Sequence, residues 1–406
     1  MRPTSLECTS CRKHHGVRLA NLCDCGAPLF ARYELSKVRK EDLEARKDLW
    51  RYGPLLPLES DRDRSRGEGG TPLYRLSRLG SGGRVARLKV GALYVKDEGL
   101  NPTGTFKARG MAVAVPMAQS LGAESVVAPT AGNAGAALAM YASTYGLAAT
   151  ILMTQDAPAE AKRIAVAFGA KVLLVRGDIS RAGRIAADFA EATGAFNLAT
   201  LREPYRVEGK KTMLLEIWEA LGGMPDWILF PTGGGTGVCG IWKGLQELRE
   251  LGWYKGPWPR IGVVQAEGCA PLVEAWTKGR EAADPWPRPK TSAAGLRVPA
   301  TLADRIVLRA VRETKGAAVA VSDAAMAIAS ANLAALEGIS AGLEGAATLA
   351  GLRRLYDEGT ITSEERVVLV NTGSARKTPD VRTSRIPLAG TVKEAQELLD
   401  ITPRAS

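Results

Sequence analysis

The sequence predicts an α/β protein, with two parallel-rich α/β units behind a small N-terminal Cys-rich knuckle. Three observations predict it. Short apolar runs alternate with stretches of helical length from about residue 92 onward, the pattern of βαβ units. Four of the predicted strands end in loops made of small residues. Four of the six cysteines lie within the first 25 residues.

In chain order, Cys8, Cys11, Cys23 and Cys25 come first, followed by the polar stretch "KVRKEDLEARKDLW", read as helical. The charged linker "ESDRDRSRGEGG" leads to "TPLYRL". "ALYVKDE" reads as a strand, "NPTGTFK" as its exit loop, and a helix is expected from about Ala108 to Leu121. "SVVAPT", "AATILM", "KVLLVRG", "DWILFPT", "RIGVVQAEG" and "RVVLVNTG" read as further strands. Helices are expected in "AGNAGAALAMYASTYG", "AEAKRIAVAFG", "GGGTGVCGIWKGLQEL", "SDAAMAIASANLAAL" and "EGAATLAGLRRLYDEG". The expected division is a knuckle over 1–35, a larger α/β unit from 36–107 and 196–406, and a smaller one over 108–195. Parallel sheets of this kind bind ligands beyond the carboxyl ends of their strands. "NPTGTFK", "PTAGNAG", "PTGGGTG" and "NTGSARK" occupy four such ends.

Composition narrows the function. Hydrophobic residues make up 46% and charged residues 24% of 406, enough apolar material for a large core. The net charge is +11, but the basic residues are scattered and form no 5–8-residue basic run, which argues against nucleic acid and suits an anionic small substrate. "MRPTSLECTS" has no apolar signal region. The longest uncharged stretch, 125–155, is broken by Pro, Asn, Gln and many small polar residues, so a buried α/β segment is expected rather than a membrane span. A cytoplasmic protein is expected.

In a reducing compartment the paired cysteines suggest metal rather than disulfides. The spacing C-x2-C, eleven residues, C-x-C suggests a ribbon holding zinc through four thiolates. The single residue within the second pair departs from that pattern, and His14 and His15 offer competing ligands. The alternative is a knuckle without metal. Cys239 and Cys269 read as buried small hydrophobes.

"PTGGGTG" follows a strand and opens a helix. Gly233, Gly234, Gly235 and Gly237 are more glycine than a tight turn requires, and they let backbone N–H groups approach a phosphate. The overlapping G-x-G-x-x-G at Gly235, Gly237 and Gly240, with Glu267 ending the next strand, also fits a dinucleotide site, but that leaves three loops without a role. A lysine, a phosphate cradle and an asparagine loop are the parts of a pyridoxal-phosphate site. Lys107 would carry the aldehyde as a Schiff base, Asn133 would meet the ring 3′-oxygen, and Thr372 the pyridine nitrogen. Alone, each has a plainer reading: a surface lysine, a turn-forming asparagine, a structural threonine.

Together, "GEGGTPL", "LNPTGTFKARGM", "TAGNAGAALAMYA", "EPYRVEGKKT", "PTGGGTG", "EGISAGLEGAATLAGL" and "VNTGSARK" occur in order over about residues 67 to 377. This series resembles the threonine synthase branch of the fold-type-II, tryptophan-synthase-β-like pyridoxal-phosphate enzymes, and the Cys-rich front end is similar too. The resemblance implies two α/β units with the cofactor between them. Lys107 then matches the Schiff-base lysine, Asn133 the cofactor-hydroxyl ligand, Gly233, Gly234, Gly235, Thr236 and Gly237 the phosphate loop, and Thr372 the hydroxyl at the ring nitrogen. Arg206 and Thr130 match substrate-binding positions, with Lys210 and Lys211 read either as helpers or as a solvated helix start. The implied reaction converts O-phospho-L-homoserine and water to threonine and phosphate, with Lys107 as base and acid, and the implied assembly is a homodimer.

The chain also departs from that branch. Thr200 and Leu201 stand where an Asn-Ser pair is usual, Ala134 replaces a hydroxyl residue, Ala108 stands in "KARG" where "KDRG" is usual, and Ala375 and Arg376 replace Gly and Leu. Two hydroxyls expected on the substrate phosphate are missing while the cofactor residues are intact. The alternative is therefore a sister enzyme, a threonine or serine ammonia-lyase or a β-replacement synthase using O-phosphoserine.

Overall fold

A computed structural model describes residues 2–59, 61–81 and 88–377; the tail past Lys377, to which the sequence assigns no role, lies outside the described residues. The chain opens with β1 (Ser5–Cys8), β2 (His14–His15) and β3 (Leu29–Arg32), a small antiparallel sheet in the order β2-β1-β3. β4 (Leu73–Arg75) and β5 (Ala92–Asp97) follow, then α1 (Lys107–Ser120), β6 (Ser125–Thr130), α2 (Asn133–Tyr145), β7 (Ala148–Thr154), α3 (Ala159–Ala167) and β8 (Lys171–Val175). α4 (Ile179–Thr193), β9 (Phe196–Asn197), α5 (Tyr205–Leu221), β10 (Trp227–Pro231), α6 (Thr236–Glu250) and β11 (Arg260–Ala266) continue the alternation. α7 (Pro271–Thr277), α8 (Asp304–Glu313), β12 (Ala317–Val321), α9 (Asp323–Glu337), α10 (Leu343–Asp357) and β13 (Arg366–Asn371) complete it.

Two sheets carry the architecture. One has six strands in the order β12-β11-β10-β13-β5-β4, parallel except where β4 meets β5. The other has four parallel strands, β8-β7-β6-β9, and its edge strand Phe196–Asn197 lies just past residue 195. Central strands are covered on both faces, which is why they read as unbroken apolar runs: all of "WILFP" in β10 is buried, as is everything in β13 after Arg366. β8 sits at an edge, and Leu173 and Leu174 stay exposed there.

The loops after β5, β10 and β13 leave the carboxyl ends of neighbouring strands of the larger sheet, and the loop after β6 leaves the smaller one. All four small-residue loops are thus strand-end loops, as the alternating pattern predicts.

One element differs. "KVRKEDLEARKDLW" forms no α-helix; it makes short 3-10 turns at Leu35–Lys37, Lys40–Asp42 and Leu49–Leu55. Its apolar residues split between two sides of a helix, Val38, Ala45 and Leu49 on one and Leu43 and Trp50 on another, so no single helical face gathers them. Burial of Leu49 and Trp50, and the Asp48 carboxylate accepting from the Trp50 N–H at 3.1 Å, fix the irregular path instead. α4, α8 and β12 lie in stretches to which the sequence reading assigned nothing.

Candidate active site

The loop between β5 and α1 is braced before it reaches Lys107. Asp97 accepts from the Gly99 N–H at 3.1 Å and from the Asn371 amide at 2.8 Å. Asn101 accepts from the Gly69 N–H at 2.9 Å and donates to Glu98 at 2.7 Å. Glu98 is also gripped by Arg109, both of them buried, and Arg109 is held in turn by the half-buried Glu216 at 2.6 Å. Thr103 sits at φ 61, a conformation a β-branched residue seldom adopts, and its hydroxyl is buried without a partner. The Phe106 N–H then donates to the Thr372 carbonyl at 3.1 Å and the Ser374 N–H to the Gly104 carbonyl at 3.0 Å, so the loop is stitched to the one after β13. Lys107 emerges as the first residue of α1. Burial lowers its amine to about 7; Arg206 pushes the same way and Glu344 opposes.

The loop after β10 has the form of an anion cradle. Gly235 has φ +76, and a Cβ there would lie 2.4 Å from the Cβ of Ala303. At Gly233 a Cβ would lie 2.2 Å from the carbonyl oxygen of Gly295. Only glycine fits either position. No side chain caps the start of α6, which leaves its first N–H groups and the positive end of its dipole to a ligand.

Lys107, Asn133, Gly233, Gly234, Gly235, Thr236, Gly237 and Thr372 all line one cavity. Asn133 enters it as the first residue of α2, and Thr372 from the end of β13. Thr130 does not line it. Its hydroxyl accepts from the N–H groups of Gly132 at 2.9 Å and Gly135 at 3.3 Å, bracing the Asn133 loop from behind.

Arg206, on the first turn of α5, is also outside the cavity's lining but buried close by. One guanidinium nitrogen donates to the Leu198 carbonyl at 3.0 Å and reaches the Thr200 hydroxyl at 3.4 Å. The other two have no hydrogen-bond partner. Its neighbour Glu203 stands 4.0 Å away and is pushed by burial up to about 7. Leu201, at φ 59 and buried, presents no hydroxyl. Lys210 and Lys211 are fully buried, so the solvated helix start is corrected. Lys211 faces away, into Glu208 and Glu247 at 2.7 Å each, beside Lys243 and the Tyr33 ring.

Comparison with known proteins fits this geometry. The pyridoxal-phosphate dependent enzyme family matches residues 64–373. The threonine synthase of Methanocaldococcus jannaschii is 35% identical over 94% of this chain and 95% of its own length, and that of Methanosarcina acetivorans is 35% identical over 92% of each. The chain belongs to the pyridoxal-phosphate dependent enzymes, in their threonine synthase branch. Among solved structures, maize serine racemase superposes with a TM-score of 0.64 at 21% identity, covering 81% of this chain and 92% of that one. An O-ureido-L-serine synthase gives 0.62 at 22%, covering 80% and 96%. These likenesses show the shared fold.

The family's cofactor is pyridoxal phosphate, and the residues present fit it. An uncapped, glycine-lined helix head suits the phosphate, and an amine lowered to about 7 suits the aldehyde. Sequence reading of this pyridoxal-phosphate enzyme missed Glu344, Phe106 and Phe230, which also line the cavity. Glu344 sits in the quoted motif "EGISAGLEGAATLAGL" and accepts from the Gly295 N–H at 2.7 Å, opposite the glycine loop. A lone acidic residue at the start of a predicted helix carried no signal beyond capping.

The Cys module lies apart from this cavity. The Sγ atoms of Cys8, Cys11, Cys23 and Cys25 lie within 4.8 Å of one another, with Cys8–Cys25 at 3.5 Å and Cys11–Cys23 at 3.6 Å. Four thiolates around zinc would stand about 3.8 Å apart, given Zn–S bonds of about 2.3 Å in a tetrahedron. The His15 imidazole reaches Cys23 Sγ at 3.3 Å, whereas His14 turns away to Ser5 at 2.9 Å. The short second pair therefore still closes a four-sulfur cluster.

Proposed function

We propose that this chain is a threonine synthase, converting O-phospho-L-homoserine and water to L-threonine and phosphate at the cavity around Lys107. One observation carries the reading: an amine lowered to about 7 shares a cavity with the uncapped glycine-rich head of α6. Curated relatives of the same name, matched over most of their length, support it.

Bound pyridoxal phosphate supplies an electron sink for carbanion chemistry. Gly233 to Gly237 would receive its phosphate through backbone N–H groups, Asn133 would donate to its ring hydroxyl oxygen, and the Thr372 hydroxyl would face its ring nitrogen. Lys107 would hold the aldehyde carbon. Released from it, the Lys107 amine would take the substrate's Cα proton and return a proton later, a task for which a neutral lysine near pH 7 is suited. Arg206, with two guanidinium nitrogens that make no hydrogen bond, would take the substrate phosphate.

In the same reading the four cysteines hold a structural zinc, the larger and smaller α/β units divide near residues 107 and 195, and the enzyme works in the cytoplasm as a homodimer. Among the described residues, no helix is long and apolar enough to cross a membrane.

The deciding experiment supplies phosphohomoserine to purified holoenzyme and measures phosphate release with threonine formation. Faster conversion of serine or threonine to a 2-oxo acid would replace this reading with an ammonia-lyase.

A further inference from the structure

Lys210 is a buried amine without a carboxylate partner. It stands one turn after Arg206 on α5, so both side chains share a face. That face meets α1 at Gly110, where a Cβ would lie 3.1 Å from the Arg206 carbonyl, 3.2 Å from Lys210 Cε and 3.3 Å from Arg206 Cβ. Gly110 lies three residues after Lys107, on the same side of α1. On the other flank, a Cβ at Gly240 of α6 would lie 2.8 Å from Lys210 Cβ. Glycines on both neighbouring helices thus make room for this one side chain.

Its Nζ stops 3.9 Å from the centroid of the Phe106 ring and 3.4 Å from the Phe106 carbonyl. The Lys107 Nζ stands 4.3 Å from the same centroid, so the two nitrogens lie within the sum of those distances of each other. Among the described residues no carboxylate forms an ion pair with Lys210 or Lys107. The next residue gives the contrast: Lys211 has two carboxylates. Burial holds the Lys210 amine well below the ordinary lysine range, and Lys107 and Arg206 add to the effect. The fold pairs Lys211 with two carboxylates but gives Lys210 none, and Arg206 meets only Glu203, at 4.0 Å and itself pushed up to about 7, so this spot is short of negative charge.

We propose that Lys210 is a phosphate-seating residue, which with Arg206 balances a phosphate monoester dianion bound beside Lys107. The inference rests on the pyridoxal-phosphate reading above, in which two such groups enter the cavity, the cofactor's and the substrate's. Their chemistry is the same, and the test separates them.

The Lys210→Gln and Lys210→Met proteins are compared with wild type in three measurements: cofactor dissociation constant on reconstitution, KM for phosphohomoserine, and thermal midpoint with inorganic phosphate or chloride at equal ionic strength. The expectation is a rise of at least tenfold in one of the two constants, and loss of the extra midpoint that phosphate gives wild type. The midpoint in chloride stays level or rises, because a buried lysine amine without a carboxylate partner has been removed. A rise in the cofactor constant assigns Lys210 to the cofactor's phosphate; a rise in KM alone assigns it to the substrate's. Both constants within twofold of wild type would overturn the proposal. So would a lower midpoint in chloride for both variants, which marks a packing role. If wild type forms no threonine, the synthase reading fails, while the cofactor and inorganic-phosphate measurements still decide on Lys210.

Discussion

The Phe106 N–H donates to the Thr372 carbonyl at 3.1 Å, joining the loop that launches Lys107 to the loop that carries the Thr372 hydroxyl. The two are 266 positions apart in sequence, yet β5 and β13 are paired neighbours, with Asp97 opposite Asn371 in the register. A parallel sheet therefore sets the spacing between the Lys107 amine and the hydroxyl proposed for the ring nitrogen.

Lys107→Ala should remove the absorbance band that the bound cofactor gives near the visible edge, and with it turnover. General acid–base action alone is worth about 10²–10⁴-fold, so the expected loss of kcat is at least about a thousandfold. The fold should persist, since α1 is anchored by the buried Arg109 network and not by Lys107. A band that persists in the variant and is bleached by borohydride would show that another lysine holds the cofactor.

Capture of the aldehyde needs the neutral amine. With Lys107 lowered to about 7, the rate at which apoenzyme takes up cofactor should climb as pH rises through about 7 and level off above it. Stopped-flow absorbance across pH 5.5 to 9 checks this. A rate still climbing tenfold per unit at pH 9 would mean an ordinary lysine.

Glu203 should weaken the fold as pH rises. Its folded value, about 7, lies above the usual carboxyl range, so its contribution is fully present at low pH and is lost on passing upward through about 7. Glu203→Gln keeps an oxygen for the N–H groups of Tyr205 and Arg206, which the carboxylate accepts at 2.7 and 3.0 Å. The variant's thermal midpoint relative to wild type should therefore be higher at pH 8.5 than at pH 5.5. A difference that does not move with pH would contradict the assignment.

Gly235→Ala should fail locally. It forces a Cβ to 2.4 Å from Ala303 at φ +76, a strain of about 1–3 kcal/mol even before the clash. Because that residue opens α6, cofactor affinity should fall at least tenfold while the Cys module is untouched. Equilibrium dialysis against pyridoxal phosphate reads it out.

Purified protein should hold about one zinc per chain, and Cys8→Ser should lose most of it, because the cluster then keeps three of the four thiolates that would complete a tetrahedral site. Metal analysis of both proteins is enough. Equal zinc in the variant would sink the site.

The sequence by itself determined the alternation of strand and helix, the four strand-end loops, and eight of the residues that line the cavity. Each of these is local: apolar runs, glycines where only a missing Cβ fits, and a lysine at a turn's exit are visible in a few consecutive letters. The tertiary structure decided what depends on distant partners. Thr130 turned out to brace its own loop, because the Gly132 and Gly135 N–H groups curl back onto it. "KVRKEDLEARKDLW" lost its helix to the burial of Leu49 and Trp50. Lys210 and Lys211, adjacent in sequence, received opposite environments because successive side chains on a helix point about 100° apart. One faces Glu208 and Glu247; the other faces Phe106, whose ring Lys107 also meets. Burial and pairing are properties of the packed helices, and no spacing in the sequence states which of two lysines will be left without a carboxylate.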